Sequence, residues 1–124
     1  MDISPIIRAD RQVIDSYANG GFRVASTFYH GGVIVFPDRT LSWPVDSVDA
    51  LTAESLGPVF EEFPPIEVLL IGCGPKMLLL PSSFRNAIKG RGPAVDIMAT
   101  GAACRTYNVL LGEERRVAAA LLPA

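Results

Sequence analysis

Residues 66–72 read Ile-Glu-Val-Leu-Leu-Ile-Gly, and this almost wholly apolar stretch decides the fold. Glu67 is its single charged residue, a pattern typical of a β-strand that is covered on both faces. Strands of this kind occur in sheets that carry helices against them. The stretch therefore predicts the centre of a layered α/β sheet.

The chain that follows alternates between helical and apolar patterns, and polar residues or glycines mark the boundaries. The elements predicted after residue 72 are a short extension at 77–80, a helix capped by Ser82 and ended by Gly90, a buried strand at 94–98, a helix capped by Thr100 and ended by Gly112, and a strand at 117–122. Helices that alternate with buried strands indicate a sheet with helices packed against it.

The first third has a different character, because it is rich in tight-turn residues and short apolar runs. Asn19-Gly20-Gly21 predicts a hairpin between strands at 13–17 and 22–26. The runs at 33–36 and 40–43 predict two more short strands. A helix capped by Ser55 is expected to place Pro58 in its first turn and to bury Val59, Phe60 and Phe63.

Size and composition limit the classes of protein. The chain has 124 residues, 49% of them hydrophobic, which predicts one globular domain over 1–124 with an N-terminal extension over about 1–12. A net charge of −2 disfavours nucleic-acid binding. No apolar run is long enough to span a membrane, and the start lacks a secretory pattern, so a cytoplasmic protein is expected.

Four stretches together resemble a known family. They are NGGFR at 19–23, IEVLLIGCG at 66–74, TGAACRTYNVLL at 100–111 and ERRVAAAL at 114–121. The family consists of small α/β proteins from bacteria, archaea and eukaryotes, and it includes the mitochondrial respiratory complex I assembly factor 3 proteins. The resemblance implies a three-layer fold, in which a central mixed sheet has helices on one side and a β-rich hairpin layer plus a helix on the other. It implies no catalytic residues.

Two glycine-rich segments are the best candidates for a ligand site. Small residues at the start of a helix leave room for an anion near the backbone amides, and an arginine one turn later could join it. The hypothesis is that the end of the apolar strand and the start of the last helix border one shallow pocket that accepts an anion. The alternative is that these residues only allow close packing. The candidate residues are Gly72, Cys73, Gly74, Thr100, Gly101, Ala102, Cys104 and Arg105.

Other reactive groups give little support for catalysis. Cys73 and Cys104 lack the Cys-x-x-Cys spacing of redox pairs, and inert packing is the favoured interpretation of both, although a thiol near a helix start gains reactivity. His30 is the single histidine and is expected in an exposed turn. One histidine and two distant cysteines lack metal-ligand spacing, so neither a metal nor another cofactor is predicted.

Two functions of different classes follow. The first is a non-enzymatic protein-binding or assembly-assisting domain, acting near membrane-associated respiratory complexes as the resemblance implies. The second is a small-molecule or anion-binding protein, or an enzyme, that uses the pocket between 72–74 and 100–105. The high share of apolar residues in a small domain also favours a homo-oligomer or a partner-binding face.

Overall fold

A mixed five-stranded sheet forms the centre of the computed structural model, which describes residues 11–124. Its strands are β4 Gly32–Val35, β5 Thr40–Trp43, β6 Val68–Gly72, β7 Ala94–Met98 and β8 Val117–Leu121. They lie in the order β5-β4-β8-β6-β7. Strand β4 runs antiparallel to both of its neighbours, whereas β6 runs parallel to β7 and β8. The apolar stretch at 66–72 thus supplies β6, beside the equally buried β8.

A separate three-stranded antiparallel sheet forms the β-rich layer, with strands β1 Ile14–Ala18, β2 Gly21–Val24 and β3 Thr27–His30. The first hairpin turns at Asn19 and Gly20, which both have positive φ, as the sequence predicted. Strand β2 ends at Val24 rather than at residue 26. Ala25 and Ser26 adopt positive φ and form a second tight turn. Because neither residue is a glycine or an asparagine, no turn was predicted at this position, and β3 was not predicted either.

The two faces of the central sheet carry different layers. Helix α3, Thr100–Gly112, packs on β6 and β8 beside the three-stranded sheet, and Tyr107 is fully buried there. The opposite face is covered by α1, Gly57–Phe60, by α2, Ser82–Ile88, and by two 3-10 turns. Successive side chains of β6 point to opposite faces of the sheet, so Leu70 lies in the core under α3 and Ile71 lies in the core under α2. The predicted three-layer fold is confirmed.

The prediction of a helix capped by Ser55 is wrong in the length of the helix and in the identity of its cap. Helix α1 follows a 3-10 turn at Glu54–Leu56 and has only four residues, with Pro58 in its first turn as predicted. The Thr52 Oγ1 accepts the Ser55 backbone N–H, so the threonine closes this turn. Because the helix stops early, Phe63 is left 86% exposed.

Three smaller expectations also fail. Thr100 and Ser82 are the first residues of their helices, and Ala99 and Pro81 precede them without a side-chain cap. Residues 77–80 form a loop rather than a strand extension. Strand β7 is an edge strand and is only half buried, because it has no neighbour beyond β6. The N-terminal extension lies outside the described residues except for Arg11 and Gln12, and a single domain over 1–124 stays a prediction.

Candidate functional site

The end of β6 and the start of α3 meet through the side chain of Thr100. Its hydroxyl donates to the Leu122 carbonyl oxygen at 2.6 Å and accepts the Gly74 backbone N–H at 2.9 Å. The Thr100 N–H in turn donates to the Gly74 carbonyl oxygen at 2.8 Å. All these groups lie in a fully buried position. One threonine therefore satisfies backbone groups of two segments at once.

The glycines of this junction allow close approach. A Cβ on Gly72 would lie 2.9 Å from the Thr100 Cα and 2.9 Å from the Leu121 Cδ2. A Cβ on Gly101 would lie 2.7 Å from the Tyr17 hydroxyl, which also accepts a hydrogen bond from Arg105 at 3.1 Å. The Tyr17 ring therefore lies over the first turn of α3. The space between the two segments is occupied by protein atoms.

An open space lies beside this junction, on the side of Cys73 and Gly74 and away from Arg105. An open groove of about 430 Å³ is lined by Cys73 and Gly74, and its charged lining residues are Asp46 and Asp49. Arg105 is not among the lining residues. Carboxylates without a cation disfavour an anionic ligand here.

The candidate ligand residues thus fall into four places. The structure brings Gly72, Cys73, Gly74 and Thr100 together, places Gly101 and Arg105 beside Tyr17, leaves Ala102 half-buried on α3, and puts Cys104 in the core under α3. Binding of a ligand by these residues stays a prediction.

The two cysteines lie on opposite faces of the central sheet. Cys73 belongs to the core under α2, whereas Cys104 belongs to the core under α3. Both are free and buried. Burial raises the pKa of the Cys104 thiol to about 12, outweighing the opposing effect of Arg105. The helix start therefore does not activate this thiol, because desolvation of the thiolate dominates.

A pH titration of stability tests this environment. The pKa of Cys104 is raised on folding, so its stabilising contribution is complete below the pKa of an unfolded thiol, about 8.5, and is lost as pH rises toward 12. We expect the urea midpoint to fall between pH 9 and 11, and to fall less steeply in Cys104→Ala. Equal slopes for the two proteins would contradict the assignment.

The charged residues whose pKa values shift lie in surface ion pairs. Arg115 donates to Glu67 at 3.0 Å, and this hydrogen bond lowers the pKa of Glu67. Arg39 pairs with Glu62 at 2.7 Å, which raises the pKa of the guanidinium. Such pairs join segments that are distant in sequence, and structural ion pairs also shift pKa values.

Two aromatic residues of the first third of the chain lie in the core, whereas the single histidine is at the surface. Phe22 and Trp43 are buried, and the Trp43 indole N–H donates to the Ser55 carbonyl oxygen at 2.9 Å. His30 is exposed at the end of β3 and lines an open depression of about 620 Å³. Within residues 11–124, no three His, Cys, Asp or Glu side chains are grouped so as to hold a metal ion. None of the described helices could cross a membrane.

The sequence-based reasoning missed an exposed apolar loop directly after the junction. Met77 and Leu79 are 64% and 80% exposed, and Leu78 is 44% exposed. The apolar residues 77–80 predict a short strand extension, whereas in the structure they form a loop. The prolines on either side, Pro75 and Pro81, were the available signal for a loop, since proline interrupts a strand.

These features define a class of protein, a small α/β domain whose mixed sheet lies between a helical layer and a hairpin layer. In it, residues 72–74 and Thr100 pack directly against each other. The chain belongs to the family described as protein of unknown function (DUF498/DUF598), whose model matches residues 14–122. The resemblance noted from the sequence is thereby confirmed.

Named relatives and solved structures agree with this assignment. The chain is 38% identical over 111 residues to NADH dehydrogenase [ubiquinone] 1 alpha subcomplex assembly factor 3 of Danio rerio, covering 90% of this chain and 64% of that protein. It thus spans less than two thirds of that relative's length. The crystal structure of an outer membrane protein from Bartonella henselae superposes with a TM-score of 0.82 at 42% identity, covering 93% of this chain and 97% of that one. A Mth938-like domain from Bordetella pertussis gives a TM-score of 0.78 at 27% identity, covering 99% and 92%.

Proposed function

We propose that this chain is a non-enzymatic, protein-binding domain that assists assembly of a membrane-associated respiratory complex, acting from the cytoplasm. The observation that carries the proposal is the 38% identity to complex I assembly factor 3 over 90% of the chain. Identity at this level over nearly the whole chain supports a shared mode of action, although the function of a fold is set by its sites.

The chemistry of the described residues supports binding over turnover. Burial raises the pKa of the Cys104 thiol and so makes it unreactive. Glu67, whose pKa is lowered, belongs to a surface ion pair with Arg115. A catalytic site instead needs a nucleophile or base whose pKa is matched to its task. The buried Gly-Thr junction is accounted for by packing and backbone hydrogen bonds.

Deleting the gene in its host tests the proposal. We expect less fully assembled NADH dehydrogenase on native gels and an accumulation of smaller subassemblies, both restored by the wild-type gene. Complementation with Val109→Ser, a change on the outer face of α3, serves as the matched control and should restore assembly equally. A deletion strain with the normal amount of assembled complex would contradict the proposal.

The alternative function, anion binding between 72–74 and 100–105, has a separate test. Arg105 is exposed and its partner Tyr17 is an uncharged hydroxyl, so the guanidinium keeps the charge that an anion would need. If this site binds anions, titration with inorganic phosphate should shift the backbone amide signals of residues 100–105 in wild type and not in Arg105→Gln. Signals that stay unshifted at millimolar phosphate would rule out this function.

A further inference from the structure

The loop from Pro75 to Leu79 presents apolar side chains to solvent in a fixed position. Leu78 and Leu79 line the groove, together with Val48 and Leu122. Single exposed apolar residues are common on protein surfaces, whereas a run of three beside a groove marks an interaction site.

The sulfur of Cys73 holds this loop in place. The Leu78 backbone N–H donates to Cys73 Sγ at 3.1 Å, and the same sulfur lies 3.2 Å from the Lys76 carbonyl oxygen. Cys73 itself is buried at the end of β6. The loop is therefore anchored to the central sheet, and ordering it on binding costs less conformational entropy than ordering a free segment.

The charged residues that line the groove are both acidic. Asp46 and Asp49 are exposed, and neither forms a salt bridge with another residue in the range 11–124. No lysine or arginine of residues 11–124 lines the groove, although Lys76 lies in the loop between Pro75 and Leu79. An apolar surface with an acidic rim is complementary to an apolar segment with basic flanks.

We propose that this groove, lined by Leu78 and Leu79 with the rim carboxylates Asp46 and Asp49, docks an amphipathic segment of a protein partner whose apolar face is flanked by lysine or arginine. The proposal rests on the proposed function, since it names the surface through which a protein partner is bound. The apolar side chains supply affinity, and the carboxylates select the basic flanks.

Two other occupants fit the surface less well. An anionic membrane would meet Asp46 and Asp49 with charge of the same sign. A second copy related by a two-fold axis would bring these carboxylates toward their own copies, which is also repulsive. A basic protein segment avoids both penalties.

A labelled synthetic peptide with leucines on one helical face and lysines on the other is the probe, and fluorescence anisotropy is the readout. We expect wild-type protein to bind it and to bind a leucine–glutamate isomer at least about tenfold more weakly, because the rim charges are acidic. Binding should perturb the backbone amide signals of residues 46–49, 74–79 and 122–123. Absence of binding, or equal binding of both peptides, would overturn the proposal.

Three variants test the named side chains. Leu78→Ser/Leu79→Ser should weaken binding by at least about tenfold through lost apolar contact, and Asp46→Asn/Asp49→Asn by about fivefold at low salt. Val109→Ser removes a 60% exposed apolar residue that does not line the groove and should leave binding unchanged. All changed residues are exposed, so unaltered amide spectra elsewhere will show that the variants fold.

Further outcomes separate the proposal from its alternatives. Leu79-dependent sedimentation with phosphatidylcholine–phosphatidylglycerol vesicles, without peptide binding, would overturn it in favour of a membrane surface. Loss of a dimer in Leu78→Ser/Leu79→Ser on analytical ultracentrifugation would instead identify an interface between copies. If the serine variant fails to bind peptide yet restores complex assembly in the deletion strain, the docking surface is wrong and the proposed function stands.

Discussion

Replacing Thr100 by valine is expected to lower the free energy of unfolding by about 3 kcal/mol, because two buried backbone groups lose their partner. The Gly74 N–H and the Leu122 carbonyl oxygen both bond the Thr100 hydroxyl. Valine has nearly the same shape, so the packing of the side chain is kept while both bonds are lost. Urea denaturation followed by circular dichroism measures the change.

A matched control lies on the same helix. Within residues 11–124 the Thr106 hydroxyl forms one hydrogen bond, which it donates to the Met98 sulfur at 3.7 Å, and its side chain is half-buried. Thr106→Val should therefore cost less than about 1 kcal/mol. Thr100→Ser keeps the hydroxyl and should recover most of the stability lost in Thr100→Val. Equal costs for Thr100→Val and Thr106→Val would show that the junction hydrogen bonds are unimportant.

Replacing Gly72 by alanine is the second large effect, with an expected loss of about 2 to 3 kcal/mol. The new Cβ would lie 2.9 Å from the Thr100 Cα, so α3 or β6 has to move. Neither element can move freely, because both belong to the buried interface between sheet and helix. Thermal and urea denaturation measure the loss.

Gly101→Ala provides the comparison within the same candidate site. Its Cβ would meet the end of the Tyr17 side chain rather than backbone, and that ring is only half-buried. Tyr17 can rotate away, and alanine favours the helix by about 1 kcal/mol over glycine. We expect Gly101→Ala to be neutral or stabilising. A large loss in Gly101→Ala together with a neutral Gly72→Ala would contradict the packing described for the junction.

Much of the fold follows from local pattern. The apolar stretch at 66–72 predicts β6, the Asn19-Gly20 turn predicts the first hairpin, and the spacing of Ala103, Tyr107 and Leu111 predicts the buried face of α3. Each signal is local: a run of apolar side chains, a pair of residues that accept positive φ, and a helical repeat. The strand β3 escaped prediction because its turn at Ala25-Ser26 uses residues with no preference for positive φ.

The sequence by itself determined the α/β class and the burial of the central strands, because these depend on hydrophobic periodicity, whereas the nearness of the Gly72 and Thr100 segments was only a hypothesis at that level. Only the tertiary structure decided which side chains surround the Gly72 and Thr100 segments. Tyr17 comes from the hairpin layer to cover the start of α3, and Asp46 and Asp49 come from a distant loop to face Leu79. Contacts between residues so far apart in the chain depend on how the layers pack, and no local pattern encodes them.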